Sequence, residues 1–84
     1  MEIVNRLGLH ARAAAKLVQT AAGFDSRVTL VKDGDEVDAK SILGILLLAA
    51  GQGESIVVRC EGEDEEAALE AVERLVADRF HEES

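Results

Sequence analysis

Arg27-Val28-Thr29-Leu30-Val31-Lys32-Asp33-Gly34-Asp35-Glu36-Val37-Asp38-Ala39 is the stretch on which the fold turns. Arg27 to Lys32 alternates, with Val28 and Leu30 opposing Arg27, Thr29 and Val31, which is the period of a half-buried strand. Asp33-Gly34 is a strong hairpin turn signal. Glu36-Val37-Asp38-Ala39 then returns as a short partner strand.

On the N-terminal side of this hairpin, Ala11 to Ala22 is helix-forming, and Ala14, Leu17, Val18 and Ala21 share one face at i, i+3, i+4 and i+7. Gly23 is the expected C-terminal stop. Ahead of the helix, Ile3 and Val4 make a very short first strand, and Arg6-Leu7-Gly8-Leu9 a loop. On the C-terminal side, Ser41 to Ala50 reads as a short apolar helix ended by Gly51 and Gly53. Ser55 to Glu61 is a regular strand with Ile56, Val58 and Cys60 on one face, so Cys60 is better explained as a small core residue than as a reactive thiol. Glu63, Asp64, Glu65 and Glu66 crowd the next helix start, where carboxylates favour the positive end of the helix dipole. Leu69, Val72, Leu75 and Val76 supply that helix's buried stripe. The order β-α-β-β-α-β-α predicts an α+β open-faced sandwich: an antiparallel four-stranded sheet with helices on one face and the other face wet.

A chain of 84 residues is expected to form a single domain over residues 1–84. A domain of this size buries roughly 60% of its unfolded surface. That leaves a thin core with no deep cleft, so function belongs on the surface. One cysteine excludes an internal disulfide, and no Cys/His cluster suggests zinc. The N-terminus lacks the apolar run of a signal peptide, and Ile45 to Ala50 is too short to span a bilayer, so a soluble cytoplasmic protein is the expectation; it is also expected to be a monomer. The formal net charge of −8 argues against nucleic acid as a partner. Residues 1–41 balance six basic residues (Arg6, Arg12, Lys16, Arg27, Lys32, Lys40) against six acidic ones; residues 42–84 hold three basic and eleven acidic. The N-terminal half is therefore the half in which an anion can be held.

Within that half, Gly8-Leu9-His10-Ala11-Arg12-Ala13-Ala14 places a histidine at a helix N-terminus with an arginine two residues on. The first turn of a helix presents unsatisfied N–H groups and partial positive charge, a ready anion site. A neutral imidazole there can attack a phosphoryl donor. The phosphoryl group would lie within reach of backbone donors and of the Arg12 guanidinium, which suits phosphate geometry. Gly8 lets the backbone ahead of the histidine turn sharply or admit a close neighbour.

Gly8-Leu9-His10-Ala11-Arg12 resembles the first signature of the HPr family, the histidine phosphocarriers of the bacterial phosphotransferase system. Leu17-Val18-Gln19-Thr20-Ala21 is similar to that family's first helix. Lys40-Ser41-Ile42-Leu43-Gly44-Ile45 resembles its second signature, around a regulatory serine. The likeness covers essentially the whole chain, with two motifs in register, and agrees with the element order above. It implies an HPr-like sandwich that needs no cofactor or metal. It also implies that His10 accepts a phosphoryl group on Nδ1 from enzyme I, itself charged by phosphoenolpyruvate, and passes it to an enzyme II A component. Arg12 would steady the phosphate. Such a protein is a carrier rather than an enzyme, and no acid–base pair or metal cluster assembles around a cleft here to suggest otherwise.

Ser41 is a favoured N-cap for the apolar helix whatever else it does. In some HPr lineages the matching serine is phosphorylated by an HPr kinase/phosphorylase, and the added charge would repel an acidic partner surface. A two-turn helix on a thin domain cannot bury every side, so Ile42, Leu43 and Leu46 are expected to form an exposed docking patch. By resemblance Lys16, Gln19 and Lys40 lie at its rim.

Two departures from the family pattern stand out. The proline that follows the arginine is Ala13 here, which removes a backbone restraint and adds an N–H donor near the phosphate position. The first strand is several residues shorter than in the family, leaving Met1 and Ile3 as its inward positions. The alternative reading is a regulatory HPr-like module that docks partners without transferring phosphate. Relatives of that kind tend to lack the histidine. His81 is expected to be a solvated tail residue.

Overall fold

The hairpin forms as its alternation requires. In the computed structural model, which describes residues 1–82, β1 (Arg27–Lys32) pairs antiparallel with β2 (Asp35–Asp38), Leu30 lying opposite Val37. Asp33 and Gly34 both take positive φ, 51° and 86°, the conformation that a tight two-residue turn of matching twist demands. The partner strand runs one residue earlier than Glu36–Ala39. Ala39 has left the ladder, and its N–H donates to the Val28 carbonyl at 2.9 Å.

On its other edge β1 pairs antiparallel with β3 (Val57–Glu61), with Val28 opposite Cys60 and Leu30 opposite Val58. The sheet order is β2-β1-β3, three strands rather than the expected four. The Ile3–Val4 segment does lie beside the chain that leads into β3, but it makes only an isolated bridge, Glu2 to Ser55. Ile56 N–H donates to Met1 O at 2.8 Å, Ile3 N–H to Glu54 O at 2.9 Å and Gly53 N–H to Ile3 O at 2.8 Å. Past Ile3 the chain turns towards Asn5, which accepts from Gly8 N–H at 3.2 Å. The partner chain also bends at Gly53, so neither side continues into a ladder. β3 accordingly starts at Val57 rather than Ser55.

Three helices cover one sheet face. α1 (Ala11–Ala22) coincides with its predicted span, caps at Gly23, and buries Ala13, Ala14, Leu17 and Ala21. α3 (Glu65–Ala77) packs on β3 and buries Ala68, Val72, Leu75 and Val76. Leu69, expected in that stripe, is only half-buried at its margin. The expected role of the acidic helix start takes a specific form. Asp64 uses its carboxylate not on its own helix but on the preceding loop, accepting from Asp25 N–H (2.8 Å), Ser26 N–H (2.9 Å) and the Ser26 hydroxyl. Those hydrogen bonds hold the Asp64 carboxyl below its ordinary pKa.

α2 (Ile42–Leu48) is shorter than the expected Ser41–Ala50. Gly51 and Gly53 do not end it; Ala49 does, at a left-handed φ of 54°. Lys32 Nζ reaches the Leu48 and Ala49 carbonyls at 3.4 and 3.3 Å, supplying donors to the helix C-terminus. The turn drives Ala50 into the core, where it is 3% exposed. Among the described residues no helix is long and apolar enough to cross a membrane. The core is aliphatic, as the composition requires, with one addition: Phe80 is fully buried in it.

Candidate functional site

His10 is the N-cap of α1, in extended conformation (φ −77°, ψ 179°). The first helical hydrogen bond runs from Ala14 N–H to the His10 carbonyl at 2.8 Å, so the N–H groups ahead of it are orphan donors at the positive end of the helix. One of them, Arg12 N–H, donates to His10 Nδ1 at 3.3 Å. Across the ring, Nε2 lies 2.6 Å from Glu82 Oε1. A carboxylate can only accept, so Nε2 carries the hydrogen and Nδ1 the lone pair. Both contacts demand the same tautomer. The ring is about one-fifth exposed, with a side-chain accessibility of 22%.

The loop that delivers His10 is tightly held. Gly8 has φ of 65°, and a Cβ there would stand 2.6 Å from the Ala50 carbonyl oxygen and 2.8 Å from Gly51 Cα. Only glycine meets both demands. Leu9 N–H donates to Ala50 O at 2.9 Å, which ties the histidine loop to the segment following α2. Asn5, fully buried, donates from Nδ2 to Gly8 O at 2.8 Å and to Glu82 Oε1 at 3.2 Å.

Glu82 arrives by an unusual backbone. Arg79, Phe80 and His81 form a 3-10 turn in which all three have positive φ, 55°, 55° and 63°. Left-handed geometry costs about 1–2 kcal/mol for each such residue. Burial of the Phe80 ring offsets about 1.5–3 kcal/mol of this. Lys16 Nζ adds a hydrogen bond to the Phe80 carbonyl at 2.5 Å, and His81 Nδ1 lies 2.6 Å from Asp78 Oδ2. His81 is exposed, as expected of a tail residue, yet its backbone belongs to an ordered turn.

The remaining site candidates divide into two groups. Arg12 is exposed beside His10, and its guanidinium makes no hydrogen bond or ion pair among the described residues. Ala13, by contrast, is fully buried. Ser41 caps α2, its Oγ accepting from Gly44 N–H at 3.1 Å. Ile42, Leu43 and Leu46 are exposed at 45%, 67% and 38%, while Ile45 and Leu48 are buried beneath them. Leu47 and Leu7 are exposed as well, at 74% and 59%. Gln19 is exposed. The ammonium groups of Lys16 and Lys40 are engaged within the molecule, Lys40 Nζ donating to Phe24 O at 2.8 Å.

Sequence reasoning missed Asn5, Phe80 and Glu82. Glu82 is 72 residues from His10, and one glutamate in an acidic tail carries no signal that it folds back. Asn5 was detectable only as a polar residue beside an apolar strand.

The chain's match to known proteins agrees with this geometry. Residues 1–78 match the family model described as the PTS HPr component phosphorylation site. A phosphocarrier protein HPr of Xylella fastidiosa (strain Temecula1 / ATCC 700964) is 54% identical over 84 residues, covering 100% of this chain and 94% of that one. A phosphocarrier protein NPr of Shewanella violacea is 45% identical, covering 98% and 90%. The crystal structure of HPr-C-His from Thermoanaerobacter tengcongensis superposes with a TM-score of 0.96 at 46% identity, covering 100% and 94%. With a helix-capping histidine and a full-length match in sequence and fold, the chain belongs to the HPr family of phosphotransferase-system phosphocarriers.

Proposed function

We propose that His10 is the phosphoryl acceptor and that the protein carries the group from enzyme I to an enzyme II A component. The observation that carries this reading is the pair of contacts on the ring, which leaves a lone pair on Nδ1 at the start of α1. In transfer, that lone pair forms a bond to phosphorus while the bond from phosphorus to the donor atom breaks, its electron pair staying with the donor. Orphan N–H groups of the first turn and the unengaged Arg12 guanidinium are placed to receive the three phosphoryl oxygens. Onward transfer reverses the step towards the acceptor.

Docking falls to the apolar surface of α2, Ile42, Leu43 and Leu46, with Lys16, Gln19 and Lys40 at its margin. Exposed aliphatic side chains grouped on one short helix suit a transient partner better than solvent. Ser41 is the candidate regulatory position, where a phosphate from an HPr kinase/phosphorylase would sit at the positive end of α2 and repel an acidic partner. The protein acts in this reading as a soluble cytoplasmic monomer folded as one domain.

Incubation with enzyme I and phosphoenolpyruvate tests the central point. An acid-labile, base-stable phosphate that disappears in His10→Ala is the expected result. A base-labile adduct, or partner binding indifferent to His10→Ala with no phosphate gained, would favour a purely regulatory module.

A further inference from the structure

Side chains alternate along β1, so Lys32 follows the fully buried Val28 and Leu30 on the helix-covered face. Its side chain is only 16% exposed. A cation so placed needs acceptors, and Lys32 has them on the segment that ends α2. Its Nζ lies 2.9 Å from Glu54 Oε2 and reaches the Leu48 and Ala49 carbonyls at 3.4 and 3.3 Å. Glu54 uses its other oxygen to accept from Gly51 N–H at 2.6 Å. Gly51 N–H and Lys32 hold the Glu54 carboxyl below its ordinary pKa, so the pair stays charged at neutral pH.

We propose that Lys32 is a positioning residue for His10, clamping the turn at residues 49–51 from which the histidine loop hangs. This rests on the reading of His10 as phosphoryl acceptor. The loop is suspended at both ends from the segment that Lys32 and Glu54 hold. Upstream, Ile3 N–H donates to Glu54 O at 2.9 Å and Gly53 N–H to Ile3 O at 2.8 Å. Downstream, Leu9 N–H donates to Ala50 O at 2.9 Å, immediately ahead of His10. Ala50 is thus flanked by Ala49, whose carbonyl Lys32 reaches, and by Gly51, which Glu54 holds. Ala49 supplies the need for a clamp, being an alanine at φ of 54°, a conformation that an L-residue leaves when nothing retains it. Without Lys32 that turn relaxes, and Ala50 O carries Leu9 and His10 away from their places. The docking helix is spared, because Ser41 caps its other end and Ile45 is buried beneath it. Lys32 therefore acts on the position of the reacting nitrogen and not on partner binding.

The test uses the full chain as wild type, Lys32→Met, Lys32→Arg and Glu54→Gln. Methionine keeps an apolar stem without the charge, and arginine keeps the donors. Glu54→Gln keeps an acceptor for Gly51 N–H and removes only the ion pair. Amide hydrogen exchange should show Leu9 N–H exchanging about tenfold faster in Lys32→Met, with Ala68 N–H of α3 changed far less. Lys32→Arg should restore most of the protection, and Glu54→Gln should give a smaller acceleration of the same kind. Phosphoryl uptake from enzyme I should fall about three- to fivefold in kcat at unchanged KM in Lys32→Met, and recover in Lys32→Arg. Leu9 accelerating no more than Ala68 in both Lys32→Met and Glu54→Gln, or an unaltered kcat despite faster Leu9 exchange, would overturn the proposal. If wild-type His10 takes no phosphate, the acceptor reading fails, and Leu9 exchange alone then decides whether Lys32 holds the loop.

Discussion

Gly8 and Ala50 meet backbone to backbone, so closely that a Cβ on Gly8 would stand 2.6 Å from the Ala50 oxygen. This contact joins the two halves of the site, because Leu9 N–H donates to that same oxygen at 2.9 Å immediately before His10. Gly8→Ala must move one of the two segments and also hold an L-residue at φ of 65°. The expected cost is about 2–4 kcal/mol. Chemical denaturation measures it, and phosphoryl uptake should fall with it as His10 is displaced. A variant within about 0.5 kcal/mol of wild type would show that the contact is readily relieved.

Arg79 offers the opposite experiment. It is exposed, has φ of 55°, and its side chain makes no hydrogen bond or ion pair among the described residues. Replacing it by glycine removes a left-handed penalty without removing a contact. Arg79→Gly should stabilise the fold by about 1 kcal/mol. In a domain of this size that raises Tm by about 4–8 °C. A lower Tm would mean that the turn is not strained at this residue.

Asp64 predicts a pH dependence. Its carboxyl is held below the ordinary value by hydrogen bonds from Ser26 and Asp25. A depressed folded-state pKa means that the unfolded chain binds the proton more readily. The stabilisation is therefore fully present above the unfolded value of about 3.9 and is lost as pH falls through the lower folded value. Asp64→Asn should be less stable than wild type near neutrality, and the gap should close in strong acid. Thermal melts across the acid range read this directly; a gap that is constant with pH would sink it.

What could be read from the sequence was local chemistry. The hairpin needed only alternation and Asp33-Gly34, and α1 needed only its apolar face and Gly23. The placement of His10 and Arg12 at a helix N-terminus was legible for the same reason, because it follows from where α1 starts. The fourth strand failed because a ladder depends on two segments, and Ile3 meets a chain already bending at Gly53. Ala49 took the left-handed cap that Gly51 and Gly53 were expected to supply because Lys32, sixteen residues away, satisfies the Leu48 carbonyl, and Ala50 fills core. Glu82 was illegible for the same reason in stronger form. Its partner lies at the other end of the chain, and three non-glycine residues in left-handed conformation are the last thing a local pattern would suggest.

Ala13 is where this site departs from the family pattern, and it yields the sharpest kinetic prediction. It lies in the first turn of α1, ahead of the first helical donor Ala14, so its N–H is one of the orphans. Proline is tolerated in the first turn because that N–H has no helical partner to lose. Ala13→Pro should therefore keep the fold, its gain of about 0.4–1 kcal/mol through the unfolded chain being offset by strain at the helical Arg12. It also deletes a donor beside the phosphoryl group and biases Arg12 away from helical backbone. A hydrogen bond to a charged group contributes about 1.5–3 kcal/mol when fully formed, and less at a half-open site. Phosphohistidine hydrolysis should accelerate about three- to tenfold in Ala13→Pro, followed as loss of labelled phosphate after removal of enzyme I. Unchanged rates of phosphoryl gain and hydrolysis would show that the Ala13 N–H takes no part in holding the phosphate.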